Sequence, residues 1–256
     1  MDLIKTKEQI AIMAEGGRRL GAVLNVLRKE VRPGITTLEL DRIARLRIEA
    51  GGDKPAFLHY RPAGAAKAYP YTLCSSVNDV VVHGQPSHHV LREGDVISLD
   101  LGLRHEGLYL DAAITVPVGP VSSLGKDVRA LLDATEDALY AGIAAAKPGK
   151  RLGDIGYAIE RVARNAGLSV AEGLTGHGIG ESLHVEPSVF NFGERGTGMV
   201  LKEGMVLAIE PMFTLGGGEI VQLRDESYGT EDRSWAAHFE HTIAITAKGP
   251  KILTAA

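Results

Sequence analysis

Read from the amino end, apolar positions first recur every three to four residues. Ile10, Met13, Ala14, Gly17, Leu20, Leu24 and Leu27 trace one helical face, and Thr6 followed by Gln9 supplies a capping box to open it. Arg32-Pro33-Gly34 stops that helix. Thr36 with Glu39 opens a second, with Leu40, Ile43, Ala44 and Ile48 on one face and Gly51-Gly52 at its end. From Phe57 to Ser75 the periodicity is lost, and Pro62, Pro70 and many small residues predict a long loop. The period then drops to two. Stretches 95–103 and 108–116 alternate on either side of Arg104-His-Glu-Gly107, which predicts an antiparallel hairpin. Ile97, Leu99, Leu101 and Leu103 share one face of the first strand, leaving Val96, Ser98, Asp100 and Gly102 on the other. In the second strand Leu108, Leu110, Ala112, Ile114 and Val116 share a face opposite Asp111, Ala113 and Thr115. Two aspartates therefore stand on small, polar faces of neighbouring strands, within cross-strand reach. A solvated sheet face also carries such residues, so parity alone leaves both readings open.

Helical spacing returns over about 126–146, where Val128, Leu131, Leu132, Thr135, Leu139 and Ile143 are in register, and Lys147-Pro148-Gly149 ends it. A second helix over about 152–166 closes at Gly167. This repeats the order of the amino-terminal part, and the echo runs further. Val82-His-Gly-Gln-Pro86 answers Leu183-His-Val-Glu-Pro187. Leu91-Arg-Glu-Gly-Asp-Val-Ile-Ser-Leu-Asp100 answers Leu201-Lys-Glu-Gly-Met-Val-Leu-Ala-Ile-Glu210, and Asp111-Ala-Ala-Ile-Thr-Val116 answers Glu240-His-Thr-Ile-Ala-Ile245. With the Pro-Gly stops these matches keep the same order in both parts. They predict two related halves of one unit, about 1–120 and 121–256, meeting across a pseudo-twofold axis. A linker between independent domains is the competing reading; candidate site residues paired across the join argue against it.

Composition narrows the class. The 256 residues are 45% hydrophobic and 23% charged, those of a globular chain able to bury a sizeable core. A formal charge of −4 is too small to point to nucleic acid or an anionic membrane. The single cysteine, Cys74, excludes an internal disulfide framework and fits a reducing compartment. Without the apolar core of a signal peptide at the start or a membrane-length apolar run, a cytoplasmic protein is expected.

The repeat pairs the chemistry: Asp100 with Glu210, Asp111 with Glu240, His83 with His184. In 205–210, Leu207 and Ile209 alternate with Ala208 and Glu210. In 238–245, Phe239, Ile243 and Ile245 oppose Glu240, Thr242 and Ala244. All four carboxylates thus fall on small-residue faces, the bulky faces being left for the helices. Four converging carboxylates repel and raise one another's pKa unless cations neutralise them. Two divalent ions would balance their formal charge. His177, in the glycine-rich run Thr175-Gly-His-Gly-Ile-Gly180, has no counterpart in the first half and would add one nitrogen ligand. Such oxygen-rich donors suit manganese, ferrous iron or cobalt, with zinc also compatible.

The segments Cys74-Ser-Ser-Val-Asn-Asp-Val-Val-Val-His-Gly-Gln-Pro86, Asp100 with Asp111, Gly176-His-Gly-Ile-Gly180 with His184, Ile209-Glu-Pro-Met-Phe213 and Glu240-His-Thr-Ile243 resemble those of type I methionine aminopeptidases. The resemblance runs from about residue 5 to 250. It implies an α+β pita-bread fold, a curved antiparallel sheet backed by helices, forming one catalytic domain over 1–256. It also implies removal of the initiator methionine from nascent polypeptides with a small second residue, by a water that two metals activate. Carried over by motif, Asp111 and Glu240 resemble bridging carboxylates, Asp100 a ligand to one ion, and His177 and Glu210 ligands to the other. Glu210 doubles as general base. His83 resembles the histidine near the scissile amide, and His184 the one that steadies the carbonyl oxygen. Tyr69, Cys74 and Leu183 fall where pocket residues are expected.

The implied partners are nascent polypeptide amino termini, with a transient ribosome contact compatible. No specific nucleic acid, no membrane and a monomeric state are expected. Prolidases and proline-specific aminopeptidases share similar ligands, and some relatives on the scaffold bind without catalysis; those usually lose ligands, which this chain keeps. The chain departs from the pattern at Ala66-Lys67-Ala68, where the family often has Tyr-His-Gly, and at Leu183, where it has Phe or Met. The expectation is a wider methionine pocket. Tyr228 and Trp235 are read as packing residues.

Overall fold

The computed structural model describes residues 3–61 and 67–255. Its first half runs α1 (Lys7–Glu30), α2 (Thr37–Ala50), β1 (Lys54–Pro55), β2 (Leu73–Val77), β3 (Val80–Val82), β4 (Val96–His105) and β5 (Leu108–Pro117). The second runs α3 (Lys126–Ala145), α4 (Leu152–Ala166), β6 (Ser169–Val170), β7 (Thr175–Gly178), β8 (Val185–Phe190), β9 (Val206–Ile209) and β10 (Met212–Thr214). It continues with β11 (Ile220–Gln222), β12 (Tyr228–Thr230), β13 (Ala236–His238), β14 (Glu240–Thr246) and β15 (Gly249–Ile252). Both expected capping boxes form, at Thr6/Gln9 and Thr36/Glu39, each satisfying two helix-end donors that would otherwise lack partners. Gly167 closes α4 in the left-handed conformation that costs glycine nothing. The expected long loop is shorter than read, because Leu73, Cys74 and Ser75 already pair with Leu101, Asp100 and Leu99 of β4.

One nine-stranded sheet carries both halves, in the order β1-β4-β5-β14-β9-β7-β8, with β2 added to β4 and β15 to β14. The hairpin β4/β5 turns on Glu106 and Gly107, both at positive φ, the two-residue connection that matches strand twist. The pseudo-twofold relation is visible in the backbone. Thr36 bridges Val90 as Arg151 bridges Val200, and Gly34 donates to the Leu91 carbonyl as Gly149 donates to that of Leu201, each at 2.9 Å.

The apolar faces predicted from parity are the ones that the helices cover. Leu99, Leu101, Leu103 and Leu110 pack with Met13, Leu20, Leu40 and Ile48 in the first half. Leu207, Ile209, Ile243 and Ile245 pack with Leu139, Ile143, Ile155 and Ile159 in the second. Helix α1 seats so closely that a Cβ on Gly17 would run into the Leu253 carbonyl. Gly17→Ala is therefore expected to cost about 1–3 kcal/mol by overpacking, or roughly 2–12 °C in Tm for a chain this long. Scanning calorimetry reads it; an unchanged Tm would mean that α1 does not rest on that strand end.

The seam between halves lies where β5 meets β14. Only Ala113 with Glu240 and Ala112 with His241 pair there. On one side the Asp111 N–H donates to Thr242 Oγ1 (3.0 Å), whose hydroxyl donates to the Asp111 carbonyl (2.7 Å). On the other the His238 N–H donates to Thr115 Oγ1 (2.9 Å), whose hydroxyl donates to the His238 carbonyl (2.7 Å). Two threonine hydroxyls thus replace ladder hydrogen bonds as the strands diverge and pair the backbone groups of Asp111 and His238.

Candidate metal centre

The strand register gathers the candidate ligands. Asp100 lies opposite Ala113, and Ala113 opposite Glu240; Thr242 lies opposite Ala208, and Ala208 opposite His177. Cross-strand partners share a face, so Asp100, Glu240 and His177 project from the same side of the sheet. Asp111 opposes Gly102 and Glu210 follows β9 two positions after Ala208, which places both on that face. Ala113 and Ala208, almost fully buried, leave room above the floor. The face is not solvated: Asp111 and Glu240 are 3% and 2% exposed.

His177 is aimed by a bulge. Strands β7 and β8 change register between Gly176 and Gly178, and both glycines lie so near the backbone of β9 or β8 that a Cβ would collide with it. The Tyr109 N–H donates to the Gly180 carbonyl (2.7 Å), tying the turn to β5. His177 Nδ1 lies 2.9 Å from the Gly178 carbonyl, which can only accept, so Nδ1 carries the proton. The lone pair is then on Nε2, 3.6 Å from Glu210 Oε1. That is the tautomer a metal ligand needs.

Three overlapping groups each bring one ligand atom per residue within 4.8 Å of the others: Asp100, Asp111 and Glu240; His177, Glu210 and Glu240; and Asp111, His177 and His184. Asp111, His177 and Glu240 each belong to two of the groups, Asp111 and Glu240 being the linking carboxylates. Asp100 Oδ1, Asp111 Oδ1 and Glu240 Oε1 are buried without a hydrogen-bond partner, a costly state for carboxylate oxygens that cations would relieve. Burial pushes the Asp100 carboxyl up to about 7, His238 pulling it down and Glu210 pushing it further up. Burial, then the charges of Asp100 and Glu210, raise Asp111 well above the usual range; burial, then Asp111 and Glu210, do so for Glu240. Glu210 goes the other way: burial opposes its ionisation, but His238, His177 and His184 outweigh it and hold its pKa low. This donor set, mostly hard oxygens with one imidazole, fits divalent cations.

Both remaining candidate histidines border the same cleft. His184 lies edge-on to His177, with ring centroids 4.4 Å apart, and its Nδ1 is 2.8 Å from the Tyr60 hydroxyl. Burial, then the neighbouring imidazole of His177, lower its pKa to about 3, so the ring is neutral at physiological pH. It also falls within ligand distance of Asp111 and His177, closer to the metal groups than its expected substrate role required. His83 holds a left-handed backbone (φ 60°) and meets the ring of Tyr228 edge-on at 5.9 Å. Tyr228 therefore flanks a candidate site residue as well as packing.

Cys74 opposes Asp100 and shares its face; burial and then the Asp100 charge raise its thiol pKa. The Tyr69 hydroxyl lies 2.9 Å from the Leu73 carbonyl and 3.2 Å from that of Gly84. Leu183 is buried in the same cluster as Cys74. Lys67 and Ala68 are exposed, while Ala66 lies outside the described residues. A backbone hydrogen bond joins Tyr69 to Tyr60 (Tyr69 N–H to Tyr60 carbonyl, 2.8 Å), and Tyr60 supplies an aromatic ring beside His184.

Sequence reasoning passed over three contributors. Tyr60 is 124 residues from His184 and nothing local announces their contact. Asn191 Nδ2 donates to the Glu210 carbonyl (3.0 Å) and steadies the end of β9. His238, 1% exposed, sits with Nε2 3.5 Å from Glu210 Oε2. Its position two residues before Glu240, on the same face, was the available signal.

A curved antiparallel sheet backed by two helix pairs, with a carboxylate-rich cation site at the seam of related halves, defines a metallohydrolase of the pita-bread fold. More particularly, residues 11–247 match metallopeptidase family M24, and the chain belongs to that family. It is 42% identical over 255 residues to methionine aminopeptidase 1 of Bacillus subtilis (strain 168), covering 99% of each chain. The crystal structure of methionine aminopeptidase from Rickettsia prowazekii superposes with a TM-score of 0.93 at 35% identity, covering 98% of each. The prolidase of Pyrococcus furiosus shares the fold at TM-score 0.79 and 23% identity, with 66% of its chain covered. No helix among the described residues is long and apolar enough to cross a membrane.

Proposed function

We propose that this chain is one catalytic domain that removes the amino-terminal methionine from nascent polypeptides whose second residue is small. The observation that carries the reading is the linked set of ligand groups through Asp111 and Glu240 on a single sheet face. Full-length likeness to methionine aminopeptidases, against fold-level likeness to a prolidase, selects the substrate class. We place the enzyme in the cytoplasm as a monomer, with manganese, ferrous iron or cobalt as its metal.

Asp100, Asp111 and Glu240 would hold one ion, and His177, Glu210 and the same two linking carboxylates the other. Bound there, two divalent ions supply Lewis-acid polarisation of the scissile carbonyl and lower the pKa of the attacking water. Glu210 is the carboxylate whose pKa is held low, His238 contributing most, and it takes a proton from that water. His184 is neutral. With Tyr60 O–H donating to Nδ1, its Nε2–H is free to donate to the carbonyl oxygen as charge develops. His83 faces the amide. Tyr69, Cys74 and Leu183 border the space for the methionine side chain, with Tyr60 as its aromatic wall. Methionine release from a Met-Ala-Ser peptide, set against an Xaa-Pro dipeptide, tests the substrate class; metal-dependent binding with no turnover of either would leave only the non-catalytic alternative.

The division of labour among the histidines has its own test. His184→Ala and His83→Ala are each expected to lower kcat by about 10²–10³ with metal content unchanged. His177→Ala should lower metal content instead. Equal metal loss in all three would move His184 and His83 into the ligand set.

A further inference from the structure

His238 is buried to within 1% of its surface, and neither ring nitrogen has a hydrogen-bond partner. A buried imidazole always carries at least one N–H, and leaving it unpaired is costly. Its backbone has little freedom to move, because both its N–H and its carbonyl are held by Thr115 and it pairs with Met212 of β10. The polar group nearest its Nε2 in an ion-pair sense is Glu210 Oε2 at 3.5 Å. Glu210 is thus shared: Oε1 faces His177 Nε2 at 3.6 Å and Oε2 faces His238. His238 belongs to none of the groups that could surround an ion. It stands one layer further out.

We propose that His238 is a positioning residue that donates its Nε2–H to Glu210 Oε2, turning Oε1 towards His177 and the ion they share. The inference rests on Glu210 being a metal ligand. A carboxylate with both oxygens free can swing between monodentate and bidentate binding; one oxygen tied to an N–H donor presents the other in a fixed direction. A small rotation of either side chain converts the 3.5 Å approach into a hydrogen bond. Outer partners of this kind orient ligands and set their affinity. Asn191 fixes the backbone of the same residue, so Glu210 is held at both its carbonyl and its carboxylate.

The test compares H238L, which keeps apolar volume without a donor, H238Q, which restores an N–H donor, and E210Q as reference. Titration calorimetry with Mn(II) is expected to show affinity for one ion weakened about 10–100-fold in H238L and within about threefold of wild type in H238Q. On Met-Ala-Ser, H238L should lose kcat with KM little changed. If E210Q binds Mn(II) as wild type does, Glu210 is no ligand and the underlying site reading fails. If E210Q weakens binding but H238L does not, or if H238Q is as impaired as H238L, the donor role of His238 is overturned alone. Should H238L not fold, ¹⁵N-histidine NMR of the Mg(II)- or Zn(II)-loaded wild-type protein decides. A slowly exchanging Nε2–H on His238 supports the proposal, and an Nδ1–H tautomer overturns it.

Discussion

Glu210→Gln is expected to lower kcat on a Met-Ala-Ser peptide by about 10²–10⁴-fold, the usual loss when a positioned proton acceptor is removed. The reason lies in the contrast within the cluster. Burial raises the pKa of Asp100, Asp111 and Glu240, whereas Glu210 is held low, His238 contributing most. It is the one carboxylate of the four that the protein itself keeps ionised, and pairs of acids with pKa values driven apart mark the division between base and stabiliser. Glutamine preserves the shape and one carbonyl oxygen but has no basic oxygen to take a proton. Steady-state kinetics with metal content measured in parallel separates the two roles. With excess Mn(II) restoring metal content, kcat that stays lost supports the base; wild-type kcat would remove Glu210 from the chemistry.

Removing the metal should make stability fall as pH rises above neutrality. The sign follows from linkage. Asp100, Asp111 and Glu240 have folded pKa values raised by burial, so they bind protons more tightly folded than unfolded. Their stabilisation is complete below about pH 4, where carboxyls in an unfolded chain titrate, and is lost as pH passes through the folded values, about 7 for Asp100. His184 and His241 act oppositely, their values being lowered to about 3 and about 4, chiefly by burial. That opposition ends near pH 6.5, the ordinary imidazole value. From about pH 6.5 to 8.5 the carboxyl cluster therefore dominates, with a slope near 1.4 kcal/mol per pH unit for each proton it releases. The protons are shared, so the slope counts the cluster and not one residue. Melting of chelated and metal-loaded protein across that range is the measurement. A flat chelated curve, in protein first shown to carry metal, would mean that the four carboxylates do not form one site.

Much of this was legible in the chain because alternation transmits directly to faces. Once β4 and β5 were read as strands, Asp100 and Asp111 had to share a side, and the repeat carried the same logic to Glu210 and Glu240. Helix ends were equally local: Thr6 with Gln9 and Thr36 with Glu39 form their boxes within one turn. What failed to show was set by packing between distant segments. The solvated-face alternative fell because that face is buried in the fold, Asp111 at 3% and Glu240 at 2% exposure. Lys67 and Ala68 are exposed, and no local pattern announces that Tyr60 is the ring beside His184. Tyr60 accepts a backbone hydrogen bond from Tyr69, and its hydroxyl lies 2.8 Å from His184 Nδ1. A bulge aims His177, and no spacing rule foretells where a strand will slip by one residue.

Strand β14 lies between β5 and β9 in space yet follows both in sequence. During synthesis the chain therefore emerges with two sheet edges exposed and nothing to join them. Each edge offers unpaired N–H and carbonyl groups to any neighbouring extended chain until residues 240–246 arrive to insert. The insertion that protects those edges also delivers Glu240 beside Ala113. Escape from mispairing and assembly of the centre are thus a single late event, and truncation upstream of residue 240 should yield an aggregation-prone chain, not a weakened enzyme.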